Sequence, residues 1–283
     1  MSLLRHISRC NTWRPEQFIP LTRGAARIGF VRRDNAETLR RFPAVFAVEQ
    51  ESVRLIAPGD FDALSAAIDR VVEQLVAEGR VAKWRNEFFA VAEHWGAPPL
   101  FKLDRGALAF FGTRAYGVHL NGVRRDEGTL SLWIGRRAPD KKVAPDKLDN
   151  LVAGGIAYSD SLAATLVKEA AEEAALPADI VARAVPVGAL SYRMETEPGL
   201  RDDVLFLYDL DVPADFIPRN TDGEIVEFKP MTAAEAIERV RRSDDFKFNV
   251  NLVLIDFGLR HGLVTPEDPE YLDLVTGLRR PLD

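Results

Sequence analysis

The rhythm of apolar positions changes along the chain. In residues 25–33, AARIGFVRR, apolar and polar side chains alternate, as on a strand with one buried face. NAETLRRFPAVF, residues 35–46, reads as a short helix opened by Asn35 and closed near Pro43, and VRLIA, residues 53–57, as another strand. The clearest helical period of this half spans residues 60–80, where Leu64, Ile68, Val71, Val72 and Leu75 share a face and Gly79 stops the run. Two aromatic-rich stretches follow, WRNEFFAVAEHWG and GALAFFGTRAYG.

Beyond residue 113 the pattern differs. RAYGVHLNGVRR and TLSLWIGRRA predict two strands joined across Asp126, Glu127 and Gly128. A polar loop, PDKKVAPDK, leads to a strand at LVAGGIA, a helix ending at Pro177 and a short helix at PADIVARA. Strands follow at VPVGALSYRME, DDVLFLYDLDV and GEIVEFKPM, then helices at TAAEAIERVRR and FNVNLVLIDFGLRHG. Strict strand–helix alternation is missing, so the fold class is α/β of the α+β kind: a mixed sheet flanked by helices. The expected division is an accessory α/β unit over residues 1–115 and a second domain over 116–283, with the boundary between Gly112 and Gly117.

Composition narrows the function. The chain has 283 residues, 47% of them hydrophobic, enough for a sizeable core. Its net charge of −6, from 43 acidic and 37 basic residues, argues against capture of nucleic acid or anionic lipid. No apolar run is long enough to span a bilayer. The lone Cys10 excludes an internal disulfide framework and a zinc ribbon, and reads as a free thiol in a reducing compartment. The start, MSLLRHISRCNTWRPEQF, is Arg-rich but lacks the length and serine content of a transit peptide, so the expected location is cytoplasmic.

The candidate chemistry lies in residues 147–177, KLDNLVAGGIAYSDSLAATLVKEAAEEAALP. On a helix, Glu169, Glu172 and Glu173 project from one stripe and repel one another. A hard divalent cation reverses that sign, since Mg²⁺ takes oxygen ligands. Gly154 and Gly155 let backbone approach a metal or phosphate closely, and Asp160 or Ser161 can cap the helix. The competing reading is a solvated acidic face.

Counted from Gly154, this stretch resembles the Nudix box: a glycine, five residues, an acid, seven residues, then Arg-Glu-apolar-x-Glu-Glu-x-Gly-apolar. Here the positions are Gly154, Asp160, Lys168, Glu169, Ala170, Glu172, Glu173, Ala175 and Leu176. Asp160 stands for the usual Glu, Lys168 for the Arg, and Ala175 for the helix-ending glycine, a role that Pro177 is expected to assume. WRNE, FGTRAYGVHLNG, KLDNLVAGGIA, KEAAEEA, VPVGALSY and DGEIVEF further resemble the Nudix subgroup related to thiamine pyrophosphokinase, in which a separate N-terminal domain precedes the Nudix domain.

The resemblance implies a Nudix α/β/α sandwich and hydrolysis of a diphosphate by water with Mg²⁺ or Mn²⁺. It implies Glu169 and Glu173 as direct ligands, Glu172 as ligand or base, and a backbone carbonyl from Gly154 or its neighbour Ala153. Glu227, with Glu224 next, is the candidate base outside the box. Arg114, Tyr116 and His119, with Asn121 nearby, and Lys147 and Asn150 before the glycine pair, are candidate substrate-binding residues. WRNE, residues 84–87, is read mainly as a contact between domains, and His94, Trp95 and His261 as structural. The implied partner is a small diphosphate compound, foremost thiamine diphosphate or its oxidised or damaged analogues, with no nucleic acid and no membrane; monomer and homodimer both stay open. The alternatives are a nucleoside-diphosphate-linked substrate such as ADP-ribose or a dinucleotide, and a non-catalytic diphosphate sensor. An isomerase of isopentenyl diphosphate is disfavoured, because Cys10 lies far from the box in sequence.

Overall fold

A computed structural model of the chain describes residues 2–82, 87–126 and 128–282. Trp84 to Asn86 of WRNE and Glu127 of the expected turn lie outside them. After helix α1 (Leu4–Cys10), the chain forms β1 (Phe18–Arg23), β2 (Ala26–Arg32), α2 (Arg33–Leu39), β3 (Phe46–Val48) and β4 (Val53–Leu55). These strands make a sheet in the order β2-β1-β4-β3. Helix α3 (Phe61–Ala77) buries the periodic face expected from the sequence, including Leu64, Ile68, Val71, Val72 and Leu75, and Asp60 caps it by accepting from the Ala63 N–H. The first aromatic-rich stretch supplies β5 (Phe88–Val91), which forms a hairpin with β6 (Phe101–Asp104), and the second supplies the short helix α4 (Leu108–Phe111).

Strand β1 carries no sequence signal because Pro20 interrupts it. The sheet tolerates this proline because β4 pairs only with Leu21 and Thr22, beyond the point where a donor is missing. Gly112 ends α4 at φ +57°, and a Cβ there would lie 1.9 Å from the Phe30 carbonyl oxygen, so glycine is required.

The rest of the chain supplies β7 (Arg114–Asp126), β8 (Thr129–Arg137), β9 (Leu148–Asp149), β10 (Val152–Gly155), α5 (Leu162–Ala174), α6 (Ala178–Val181), β11 (Val185–Thr196), β12 (Gly199–Asp211), β13 (Ile225–Thr232), α7 (Ala233–Arg242), α8 (Phe248–Arg260) and α9 (Tyr271–Gly277). Among the described residues the larger sheet runs β11-β12-β7-β8-β13, with β10 on β7 and β9 on β8. β12 and β7 are parallel and the other pairings antiparallel, so the sheet is mixed as expected. One face packs on α5 and α6 through Val118, Leu120, Leu166, Ala170 and Val181. The other packs on α7, α8 and α9 through Val123, Leu132, Leu205, Ile237 and Leu254. This is an α/β/α sandwich.

Leu3, Ile7 and Cys10 join this second core rather than the first, so α1 packs with the sandwich although it begins the chain. Burial, foremost, pushes the Cys10 thiol up to about 12, which keeps it protonated and inert.

Candidate active site

Helix α5 builds the site from its capping and its spacing. The Ser161 hydroxyl, not Asp160, is the cap, accepting from the Ala164 N–H at 3.1 Å. Ala175 itself takes the left-handed conformation that ends the helix, at φ +53°, so the terminating role does not pass to Pro177. A left-handed alanine is strained; Ala175→Gly is expected to stabilise the fold by about 0.5–1 kcal/mol after the extra freedom of unfolded glycine is subtracted, as read by urea denaturation.

The three glutamates part company. Glu173 is buried, Glu169 is mostly covered, and Glu172 points to solvent. At 100° per residue, Glu169 and Glu173 lie about 40° apart around the helix, while Glu172 lies about 100° from Glu173. The first two face β10 and the third sits on the rim. Glycine at 154 makes this possible: a Cβ there would fall 2.2 Å from the Glu169 Cγ and 2.7 Å from its Oε2. Glu173 Oε2 accepts the Ala153 N–H at 2.8 Å.

Strand register corrects the expected carbonyl. The Ile156 N–H donates to the Tyr116 carbonyl, which makes Gly154 and Val118, two residues along, the next hydrogen-bonded pair of β10 and β7. The Gly154 oxygen therefore turns into the sheet, where a Cβ on Gly117 would meet it at 3.1 Å. Ala153 faces the opposite edge with its N–H on Glu173, and its carbonyl shares that edge.

Behind the helix lies a buried charged group that sequence reasoning did not find. Arg137 Nη1 donates to Asp149 Oδ2 at 2.7 Å and Lys247 Nζ approaches the same oxygen at 3.3 Å. Burial works against the Asp149 charge, but Lys247 and Arg137 win and hold its carboxyl below the usual range. Glu173 moves the other way: burial, then the charges of Asp149 and Glu169, raise it well above a normal carboxyl, against the Ala153 N–H and Lys247. Burial likewise pushes Glu169 up to about 7; Lys168 opposes this, while Glu172 and Glu87 add to it.

The substrate candidates scatter. His119 is buried and its Nδ1 meets Asn150 Oδ1 at 2.8 Å; Asn150 in turn donates to Asn121 and Asn121 to Asp209. Burial, then Lys247, lowers His119 to about 4, so it stays neutral at pH 7. These residues brace the sheet beneath the site rather than line an opening. Lys147 donates to the Asp244 carbonyl at 2.8 Å, and Lys247 is the lysine beside the carboxylates. Arg114 is engaged by Asp202 at 3.2 Å and by the Leu282 carbonyl. Tyr116 stands half-buried against Trp95, ring centroids 4.6 Å apart, and Trp95 is exposed, not a core residue. Glu227 is exposed on β13 and pairs with Lys229 at 2.7 Å, while Glu224 pairs with Lys141. Neither is brought to the α5 carboxylates.

Among the described residues no three His, Cys, Asp or Glu side chains already converge on one point as metal ligands. The donor chemistry nevertheless fits a hard cation, because Mg²⁺ is commonly held by one or two carboxylates with water and substrate phosphates. Glu169 and Glu173 are such a pair, desolvated and mutually repelling, with room made by Gly154. The Glu169 shift has a measurable consequence. Its folded value, about 7, exceeds the ordinary 4.5, so the native state holds the extra proton between those limits. Stability of the metal-free protein should therefore fall by about 2 kcal/mol as pH rises from 5 to 7 and level off above. Urea denaturation of wild type against Glu169→Gln isolates this slope, which the variant lacks and which saturating Mn²⁺ should flatten; equal slopes would refute it.

A domain of unknown function, DUF4743, matches residues 2–115, and the NUDIX domain matches residues 114–250. The chain is 37% identical to Nudix hydrolase 20, chloroplastic, of Arabidopsis thaliana, over 96% of this chain and 76% of that protein. It is 36% identical to Nudix hydrolase 24, chloroplastic, of the same plant, over 98% of this chain and 77% of that protein. A crystal structure from Deinococcus radiodurans is similar with a TM-score of 0.46 and 20% identity, over 60% of this chain and 97% of that one. Taken with the glutamates of α5 set against Gly154, the two domain matches and the two plant relatives show that the chain belongs to the Nudix hydrolases and is an enzyme of that family, with a DUF4743 unit ahead of its Nudix domain.

Proposed function

We propose that this Nudix hydrolase cleaves thiamine diphosphate, or oxidised or damaged analogues of it, to the monophosphate and inorganic phosphate with Mg²⁺ or Mn²⁺. The observation that carries the metal-dependent reading is the desolvated Glu169–Glu173 pair on the open edge of β10, where Gly154 leaves space for a carboxylate. The substrate rests on the motifs WRNE, KLDNLVAGGIA and DGEIVEF, which resemble those of the thiamine pyrophosphokinase-related subgroup.

Glu169 and Glu173 hold the cation, with the Ala153 carbonyl on the same edge. The chemistry that such an ion supplies when bound is neutralisation of the diphosphate and a lower pKa for water. Glu172, exposed at the rim, takes the proton of the attacking water. Its place is fixed from behind, since its backbone carbonyl accepts from the Thr221 N–H and hydroxyl. Water adds to one phosphorus, the bridging P–O bond breaks, and the bridging oxygen leaves with the thiamine monophosphate. Lys247 and Arg137 keep Asp149 ionised, and the charge of Lys247 favours the ionised form of Glu173.

Phosphate release from thiamine diphosphate and its oxo analogues, and AMP release from ADP-ribose in parallel, each with Mg²⁺ or Mn²⁺, test the reading. Turnover of the thiamine compounds is expected. Turnover of ADP-ribose alone would replace this substrate class.

A further inference from the structure

Helix α1 lies within the DUF4743 match, yet it holds the piece of chain that leads into the charged group behind α5. That piece is residues 243–247, the link from α7 to α8. Arg5 Nη2 donates to the Ser243 carbonyl at 2.6 Å and to the Val240 carbonyl at 3.0 Å, and lies 3.5 Å from that of Arg241. These carbonyls stand at or just past the end of α7, where no further helical N–H follows. His6 Nε2 meets the Val240 carbonyl at 2.7 Å, and Arg5 and Arg9 both pair with the Asp244 carboxylate. From there the chain runs beside β9: the Asp244 carbonyl accepts from Lys147 Nζ at 2.8 Å, the Asp245 carbonyl accepts the Leu148 N–H at 2.9 Å, and the Lys247 N–H donates to the Leu148 carbonyl at 2.9 Å. The Lys247 ammonium then reaches Asp149 Oδ2 at 3.3 Å, its side chain 13% exposed.

We propose that Arg5 is a positioning residue of the hydrolytic site: by gathering the end of α7 and Asp244 it sets the start of the 243–247 link, and so seats Lys247 against the acids behind α5. The inference rests on the reading of Glu169 and Glu173 as the metal-holding pair, but not on thiamine. A guanidinium suits this task because its planar fork reaches several carbonyls and a carboxylate at once, which an ammonium does not. Arg5 is mostly covered, whereas Arg9 is exposed, so the burden falls on Arg5. Leu3, Ile7 and Cys10 sink into the core shared with α7, α8 and α9, so a fixed helix delivers the guanidinium. The segment that opens the DUF4743 match thereby sets the charge balance of the Nudix site.

Labelling of lysines in the full-length protein with acetic anhydride, read by mass spectrometry, tests the placement without metal or substrate. Arg5→Met should raise the labelling rate of Lys247 by about fivefold or more, while the exposed Lys168 and Lys229 label as in wild type. Arg5→Lys should give a smaller rise, because an ammonium still pairs with Asp244 but does not span the carbonyls. A Lys247 rate within about twofold of wild type in both variants would overturn the proposal. So would a parallel rise at the half-buried Lys102 on β6, in the other core, which would mark general loosening. Calorimetry with Mn²⁺ alone at pH 8 reads the consequence at the carboxylates. A displaced Lys247 takes away a positive charge, and a divalent ion feels that loss about twice as strongly as a competing proton. Arg5→Met should therefore bind Mn²⁺ about threefold more tightly, and should add nothing in a Lys247→Met background. No gain, or the same gain in both backgrounds, would also overturn the proposal. A wild type that binds no Mn²⁺ would sink the metal reading instead, and the labelling result would then decide this one. Should Arg5→Met fail to fold, Arg5→Lys and Asp244→Asn, each with a smaller rise expected at Lys247, take its place.

Discussion

Glu173→Gln is expected to lower metal-dependent hydrolysis by about 10³-fold or more, the loss of several kcal/mol of charge stabilisation, and to leave the protein at least as stable as wild type. The two halves of this expectation share one cause. Glu173 is buried, and the charges of Asp149 and Glu169 work against its own. As an amide it keeps the shape of the side chain and the oxygen that accepts the Ala153 N–H, so no buried donor is orphaned. What disappears is a repulsive charge that the fold tolerates and the reaction needs. A kinetic assay at saturating Mn²⁺, a Mn²⁺ titration and a urea melt at pH 8 read the three consequences: activity gone, metal affinity reduced, stability unchanged or raised. An active Glu173→Gln would remove this carboxylate from the metal site, and a strongly destabilised one would show that its charge serves the fold.

The parts of the site that were legible in the sequence are those set by local spacing. The period of α5, the position of Glu169 and Glu173 on it, and a glycine upstream are properties of consecutive residues, and the structure unites them through the missing Cβ of Gly154. Orientation is less legible. Gly154 and Ala153 differ by one residue, yet strand alternation sends their carbonyls to opposite edges, and only the pairing of Ile156 with Tyr116 decides which is which. Spacing alone puts Glu172 on one stripe with Glu169 and Glu173, and only the depth of the helix against β10 sets it on the rim.

Long-range charges were not legible at all. Lys147 and Lys247 are both solitary lysines near apolar residues. The first turns to the Asp244 carbonyl and the second enters the carboxylate cluster because residues 245 to 247 run beside β9. In the N-terminal unit, β5 and β6 are too short to establish an alternation, and their aromatic residues read equally as helix or loop. The DUF4743 and Nudix matches meet at residues 114–115, yet α1 packs with the sandwich, because apolar packing and sequence order need not coincide.

Lys247→Met should destabilise the metal-free protein by about 3 kcal/mol, because it leaves buried acids without a counter-charge. Lys247 is an expensive residue to place. It sits at the N-cap position of α8 without making a capping bond, where the helix dipole already disfavours a cation, and burial lowers its pKa. Two backbone bonds hold it there: its N–H donates to the Leu148 carbonyl at 2.9 Å, and the Leu148 N–H donates to the Asp245 carbonyl at the same distance. Asp149 and Glu173 are what its charge offsets, and Arg137 alone would remain for Asp149. If that account holds, the demand for Lys247 depends on the ionisation of Glu173. The same substitution made in a Glu173→Gln background should therefore cost less than in wild type, by about 1 kcal/mol or more. A cycle of urea denaturations on the two single variants, the double variant and wild type measures that difference. Strict additivity would mean that Lys247 serves Asp149 alone and that the acidic turn of α5 is balanced some other way.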